Sequence, residues 1–359
     1  MKVTFILIAG GFSGAENALY NILKFCPKRD RKNISVMVDK DIEKYYIDLE
    51  DITLISLGGY FHEPFLIRPY KFLKSILKAR NYLKSNKQDV IVLFLSYSWL
   101  VYSMLDKKKF KSMIVSLRGT DVYNFIHRYK ILNKIFLGNA LRESEKIVSV
   151  SKKKIKGLSK RYMKKTIVIP NGIDTKFFRP LENIEQRKNV ILFTGRFIKM
   201  KGVMEILSTA KELPQYEFWF AGQGKLAKLI NLPNTKNLGL KSKKELVKLY
   251  NQATICVAPS YWEGFSNVGL EVTACKRALI ATQEAFSEYI TDKKNGILIP
   301  AKDEVALKNA IVDLMTNEKK RKEIEKNARE KALKYSWEDV SKKWSTLFKK
   351  ISKNETNKK

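Results

Sequence analysis

Short apolar runs, each followed by a glycine or polar loop and then a stretch with helical periodicity, recur along this chain, and that repeat admits few folds. VTFILIAG (3–10), ISVMVDK (34–40), DVIVLFLS (89–96) and SMIVSLRGT (112–120) are nearly continuous in apolar residues, as strands buried on both faces of a parallel sheet are. KIVSVSKKKIKGLSKRY (146–162) and TIVIPNGIDTKFF (166–178) continue the series, and NVILFTG (189–195), EFWFAGQGK (217–225) and ICVAPS (255–260) begin it again. Strand, helix, strand in that order demands parallel pairing with crossover helices, so the expected class is α/β with two doubly wound halves. A length of 359 residues, 45% hydrophobic, is enough for two cores of ordinary domain size. The expected domains are 1–180 and 189–334, joined through the polar stretch 180–189, with a terminal helix beginning near 335 and a frayed tail to 359.

The stretch EGFSNVGLE (263–271) follows the strand ICVAPS and sets Glu263 and Glu271 on either side of a Gly264-Phe265-Ser266-Asn267 turn. With Ser266 as N-cap, the helix opening at Asn267 presents unpaired backbone N–H groups of Ser266, Asn267 and Val268, a place suited to phosphate. Carboxylates accept hydrogen bonds from paired hydroxyls, so a glutamate on each side of an anion cradle fits a ligand with hydroxyl-rich groups flanking a phosphate, as in a nucleotide sugar. In the same half, the strand ending at Gly195 leads into Arg196 and then Lys201 beside Gly202, two cations brought to one mouth. The first strand leads into Gly10, Gly11 and Gly14, where close backbone approach is possible.

These motifs resemble those of the retaining GT-B glycosyltransferases of family four, also called glycosyl transferases group one. The E-x(7)-E of Glu263 and Glu271, the G-R-x(4)-K-G of Gly195, Arg196, Lys201 and Gly202, the IPNGID segment and the Ser13-Gly14-Ala15-Glu16 turn carry the resemblance over nearly the full length. It implies a GT-B architecture of two Rossmann-like domains facing across a cleft, with the last helix crossing back to the first domain. It implies that Glu271 holds the ribose hydroxyls, that Glu263 touches the transferred sugar, and that Arg196 and Lys201 neutralise the leaving diphosphate. Gly14, Gly195, Gly222 and Leu240 would line the donor, with the base near 238–240. Family members usually carry His-Gly-x-Asp where this chain has Arg118-Gly119-Thr120-Asp121, which leaves Asp121 as the nearest proton acceptor for an acceptor hydroxyl; the same Asp is equally a helix N-cap. Lys276-Arg277-Ala278 stands where Gly-x-Pro is common, and AFSEYI lacks the usual Gly-Gly before Glu288. The resemblance implies transfer of a sugar from a nucleoside diphosphate to a hydroxyl acceptor, with retention. A nucleotide-sugar epimerase and a basic nucleic-acid-binding protein are the competing readings.

Lys and Arg number 69 against 36 Asp and Glu, a formal charge of +33, which predicts attraction to polyanions. Zinc-finger spacing and aromatic RNA-binding motifs are absent from the sequence, so the expected partners are an anionic membrane surface and a glycan or lipid-linked acceptor rather than nucleic acid. Residues 68–87 should form a basic helix with Phe72, Leu73, Ile76, Leu77 and Leu83 on its buried face, and eight of fourteen residues in 152–165 are basic. VTFILIAGG is too short for a membrane span, so a cytoplasmic protein, peripheral on the inner face of the cell membrane, is expected. Asp39-Lys40-Asp41 has D-x-D spacing, but an acidic pair at a strand end is ordinarily solvated, and no metal or other cofactor is expected. Cys26, Cys256 and Cys275 read as reduced, buried thiols.

Overall fold

Runs apolar on both faces can satisfy backbone and side chains together only inside a sheet covered by helices. In the computed structural model, which describes residues 1–8, 14–59, 68–94, 98–103, 110–118, 130–155 and 158–356, they do so as two all-parallel sheets. The first holds β1 (Val3–Leu7), β2 (Ile34–Val38), β3 (Thr53–Ser56), β4 (Gln88–Phe94), β5 (Phe110–Leu117), β6 (Lys146–Ser149) and β7 (Thr166–Val168) in the order β3-β2-β1-β4-β5-β6-β7. The second holds β8 (Val190–Thr194), β9 (Glu217–Ala221), β10 (Thr235–Gly239), β11 (Ile255–Ala258), β12 (Ala278–Thr282) and β13 (Ile297–Ile299) in the order β10-β9-β8-β11-β12-β13. Strand order reverses beside β1 in one sheet and beside β8 in the other. Loops leaving β1 and β4, or β8 and β11, therefore diverge at the carboxyl edge and leave the crevice in which such sheets bind ligands.

Each sheet belongs to its own compact unit, one made of Met1–Asn171 with Trp337–Lys359, the other of Gly172–Ser336. The chain passes between units at Asn171–Gly172 and Ser336–Trp337, not through the polar stretch 180–189 expected as a linker. That stretch lacks apolar periodicity but is tied to the second unit by backbone bonds: Leu181 N–H donates to Asn251 Oδ1 at 2.8 Å and Arg187 N–H to the Gln252 carbonyl at 2.9 Å. The two crossing points lie side by side, with Ile173 N–H donating to the Tyr335 carbonyl at 2.7 Å.

The terminal helix, Trp337–Thr356, completes the first unit rather than the second. Its Trp337, Val340, Trp344, Leu347, Phe348 and Ile351 enter the same buried cluster as Phe5, Leu19, Ile22 and Phe94. Trp344 sits 6.0 Å from the Phe5 ring centroid, and Ser341 Oγ donates to the Ile22 carbonyl at 2.7 Å. The helix Arg68–Ser85 covers the other face of that sheet. Phe72, Ile76 and Leu83 pack inward with Ala79, whereas Leu73 and Leu77, expected on the same face, are exposed. The small Ser75 and Ala79 complete the buried face, so the wide apolar arc of this helix is rotated with one edge in solvent.

Trp344 is 1% exposed and its indole N–H has no hydrogen-bond acceptor among the described residues, so its contribution comes from burial and packing of the ring. Trp344→Ala should destabilise the first unit by about 3–5 kcal/mol and Trp344→Phe by distinctly less, measured by denaturant unfolding. Equal losses would mean that the ring is not what holds the terminal helix.

Candidate functional site

The crevice of the second sheet is assembled from backbone outward. Gly195 N–H donates to the Ala221 carbonyl at 3.0 Å, Gly222 N–H to the Gly239 carbonyl at 2.8 Å, and Phe197 N–H to the Gln223 carbonyl at 2.8 Å, so the loops leaving β8, β9 and β10 are stitched together. Gly222 has φ of +153°, and a Cβ there would meet the Gly195 carbonyl oxygen at 1.9 Å. Its role is to let the β8 and β9 loops touch. Gly202, at φ of +73°, turns the chain from a single 3₁₀ turn (Lys199–Lys201) into the helix Val203–Glu212; a Cβ there would strike the Pro259 carbonyl oxygen at 2.3 Å. The Arg196–Lys201 loop is thereby pressed against the loop leaving β11.

That second loop is held at several points. Tyr261 N–H donates to the Met200 carbonyl at 3.0 Å, and the Tyr261 hydroxyl bonds Glu205 on the helix Val203–Glu212. Lys201 Nζ forms an ion pair with Glu263, both partly buried. Phe265 is buried, with its ring 5.2 Å from Tyr289 and 6.1 Å from Tyr335, while Gly264 is partly exposed. The helix Asn267–Ala274 then begins with Ser266 in extended conformation at the N-cap, and the Ser266 side chain makes no cap bond. Its carbonyl accepts from the Tyr289 hydroxyl at 3.0 Å. The Ser266 side chain thus takes up none of the first-turn N–H groups of this helix. Gly269, one turn in, lies under Tyr289 and Phe286; a Cβ would meet the Tyr289 hydroxyl oxygen at 1.9 Å.

Glu271 lies in the second turn, with Oε2 accepting from the Tyr250 hydroxyl at 2.8 Å; that hydroxyl is 3.0 Å from Thr194 Oγ1. Burial pushes the Glu271 carboxyl above the ordinary range, opposed by the Tyr250 hydrogen bond and, from farther off, by Lys243. Tyr250, held at zero exposure on the helix Lys243–Gln252, was not legible as a site residue, because its run KLYNQA reads only as the apolar side of a helix. The same is true of Tyr289.

The second unit thus brings together Gly195, Arg196, Lys201, Gly222, Glu263, Gly264, Phe265, Ser266, Asn267, Val268 and Glu271 at the β8 and β11 edge, with Arg196 exposed. Leu240 follows Gly239 at the end of β10 and is 70% exposed. In the first unit, Gly14 opens the helix Gly14–Lys24. Gly10, Gly11, His62, Asp121 and His127 lie outside the described residues. Arg118 closes β5, its guanidinium 4.8 Å over the Phe94 ring and bonded to Asn171 of IPNGID. Asp39 is the N-cap of the short helix Lys40–Glu43, and among the described residues no three His, Cys, Asp or Glu gather as metal ligands. All three cysteines are free and buried; burial pushes the Cys275 thiol up to about 12.

Residues 174–331 match the family model for glycosyl transferases group 1, and residues 12–177 match that for glycosyltransferase family 4. An uncharacterized glycosyltransferase of Methanocaldococcus jannaschii is 31% identical over 285 residues, 76% of this chain and 77% of its own length. The GalNAc-alpha-(1→4)-GalNAc-alpha-(1→3)-diNAcBac-PP-undecaprenol alpha-1,4-N-acetyl-D-galactosaminyltransferase of Campylobacter jejuni is 22% identical over 368 residues, 98% of this chain and 99% of its own. In fold, the chain is similar to the crystal structure of Anabaena HepE in complex with UDP and glucose, with a TM-score of 0.76 at 17% identity over 97% of this chain and 99% of that one.

A carboxyl whose folded-state pKa is raised favours folding when protonated, and its ionised form costs stability once pH rises through that value. Glu271→Gln keeps an acceptor for Tyr250 and should therefore raise the melting temperature at neutral pH, with the gain fading as pH falls toward about 4. A gain independent of pH, or a loss, would show that the carboxylate is not held at a cost.

Proposed function

This chain belongs to the glycosyl transferases group 1 family, and we propose that it moves a sugar from a nucleoside diphosphate to a hydroxyl of a lipid-linked or membrane-surface glycan, with retention of configuration. The observation that carries the proposal is the placing of the N-terminus of the helix Asn267–Ala274, whose N-cap side chain makes no cap bond, with the Lys201–Glu263 pair in the loop before it and Glu271 in its second turn. An anion there meets backbone N–H groups and the positive end of a helix. The carboxylates meet hydroxyls on either side of it. Glu271 holds the ribose and Glu263 the transferred sugar, with Gly195, Gly222 and Leu240 around the nucleoside. The undecaprenol-linked glycan in the name of the C. jejuni relative supports the acceptor class, and the UDP in the HepE structure supports the donor class.

In the proposed reaction the bond from the anomeric carbon to the diphosphate breaks as the acceptor oxygen approaches the same face of the sugar. Negative charge grows on the leaving diphosphate. Arg196, Lys201 and the first-turn amides stabilise it in place, without reorganising at the moment of reaction. A diphosphate oxygen takes the acceptor proton; Asp121 is the protein group proposed to assist. Because fixed cations and amides neutralise the leaving group, the mechanism calls for no divalent metal. The protein is proposed to work on the inner face of the cell membrane, as a peripheral protein; among the described residues no helix is long and apolar enough to cross a bilayer.

Arg196→Ala should lower turnover by about 100-fold or more with little change in melting temperature, since Arg196 is exposed and its loss removes a charge that stabilises the departing diphosphate. Turnover is to be followed as nucleoside diphosphate release, with and without a glycan acceptor, and in the presence of a chelator. The proposal expects release that depends on acceptor and ignores the chelator. Conversion of the sugar nucleotide to an isomer without any acceptor would identify an epimerase instead, and near-normal turnover of Arg196→Ala would remove Arg196 from the mechanism.

A further inference from the structure

One face of the first sheet is covered by a continuous helical layer whose outer side combines two properties that surface helices seldom share. The helix Arg68–Ser85 packs against Ser98–Ser103, which packs against Lys130–Glu143; the short helix Lys160–Lys164 joins the last through the Tyr162 hydroxyl, 3.5 Å from the Gly138 carbonyl. All four send residues inward to one buried cluster, Ile76, Val101, Leu137 and Tyr162 among them. Glu143 is the only acidic residue in these four helices, whereas Arg68–Ser85 alone carries six basic residues. The layer is therefore strongly cationic.

Its outer side is also studded with large apolar side chains. Tyr70 is 66% exposed, Leu73 46% and Leu77 37%, and the i, i+3, i+7 spacing puts them in one strip along the outward crest of the helix. Lys74 and Lys78 are exposed beside that strip. Farther along the layer, Ile135 is 50% exposed and Met163 42%. Each is turned away from the cluster that its own helix neighbours fill.

We infer that this layer is a docking face for an anionic lipid bilayer, with Lys74 and Lys78 at the headgroups and Tyr70, Leu73 and Leu77 inserted among the acyl chain ends. Charge complementarity selects an anionic partner. The apolar crest selects lipid over nucleic acid, since a phosphate backbone offers isolated leucines nothing to bury against, while an interface admits an amphipathic helix lying in its plane. Lys and Arg side chains lie beside such a crest with their stems on apolar surface and their charges at the phosphates. The inference rests on the proposed reaction only in that a lipid-linked acceptor would be met at this surface.

The test is flotation of the full-length protein with vesicles of phosphatidylcholine alone and of phosphatidylcholine mixed with phosphatidylglycerol, at low and high salt. Wild type should float with the anionic vesicles and retain part of that binding at high salt. Removing each basic residue should cost roughly fivefold in affinity, so Lys74→Glu/Lys78→Glu should weaken binding by about 25-fold or more. Leu73→Asn/Leu77→Asn should bind at low salt and lose the salt-resistant part, with an unchanged melting temperature because neither leucine is in the core. Equal flotation with neutral and anionic vesicles would overturn the inference, as would two double variants that behave like wild type. Release of bound protein from vesicles by a small excess of duplex oligonucleotide would assign the charge to nucleic acid. Nucleotide binding measured on the same preparations belongs to the second unit, so its absence would defeat the glycosyltransferase reading and leave the lipid result standing.

Discussion

The ion pair between Lys201 and Glu263 joins the two loops on which the candidate site is built. One loop leaves β8 and the other leaves β11, neighbours in the second sheet with Ile191 beside Ile255. Parallel strands fix where these loops start, yet only contacts between the loops decide where their charges end up. Gly202 pressed on Pro259, Tyr261 bonded to the Met200 carbonyl and to Glu205, and the Lys201–Glu263 pair together make one rigid wall of them. In the free protein the pair also keeps a partly buried lysine neutralised. A donor with a phosphate for Lys201 and a hydroxyl for Glu263 can share both partners at once, so the apo contact and the proposed bound contacts use the same two side chains.

A second chain of contacts sets Glu271. Arg277 Nε donates to the Tyr250 carbonyl at 3.1 Å and its Nη2 to the Asn251 carbonyl at 3.0 Å, satisfying the last turn of the helix Lys243–Gln252. Tyr250 in turn donates to Glu271. The Lys-Arg-Ala that stands where Gly-x-Pro is common in the family is therefore built into the support of the site. Lys276 adopts a left-handed φ of +57°, and Arg277 lies 3.9 Å from the buried Glu325. A carboxylate held above its ordinary pKa by burial is costly to the fold, and such groups collect where binding or chemistry needs them.

The alternation of buried strand and helix was legible in the sequence because strands covered on both faces are apolar almost throughout, as in VTFIL and ICVA. The E-x(7)-E stretch was legible as a strand, loop and helix start because its parts are close in the chain: Ser266, the helix start at Asn267 and the two glutamates lie within nine residues. What periodicity could not supply was anything set by long-range contact. The stretch 180–189 reads as a linker by composition, but bonds to Asn251 and Gln252 make it part of the second unit. Leu73 and Leu77 belong to the same apolar arc as Phe72 and Ile76, and only packing decides which edge of that arc is covered. Tyr250 and Tyr289 act on the site from other helices and loops, with no local pattern to mark them.

The account stands on nucleotide binding in the second unit through Glu271. The most direct measurement is the shift in melting temperature of the full-length protein over a panel of nucleoside diphosphates and their sugars, repeated with Glu271→Ala. The account predicts stabilisation by nucleotides of one base, growing with concentration as RT ln(1 + [L]/Kd), and its loss in the variant. No shift with any nucleotide in the wild type, or a shift of equal size in Glu271→Ala, would contradict it.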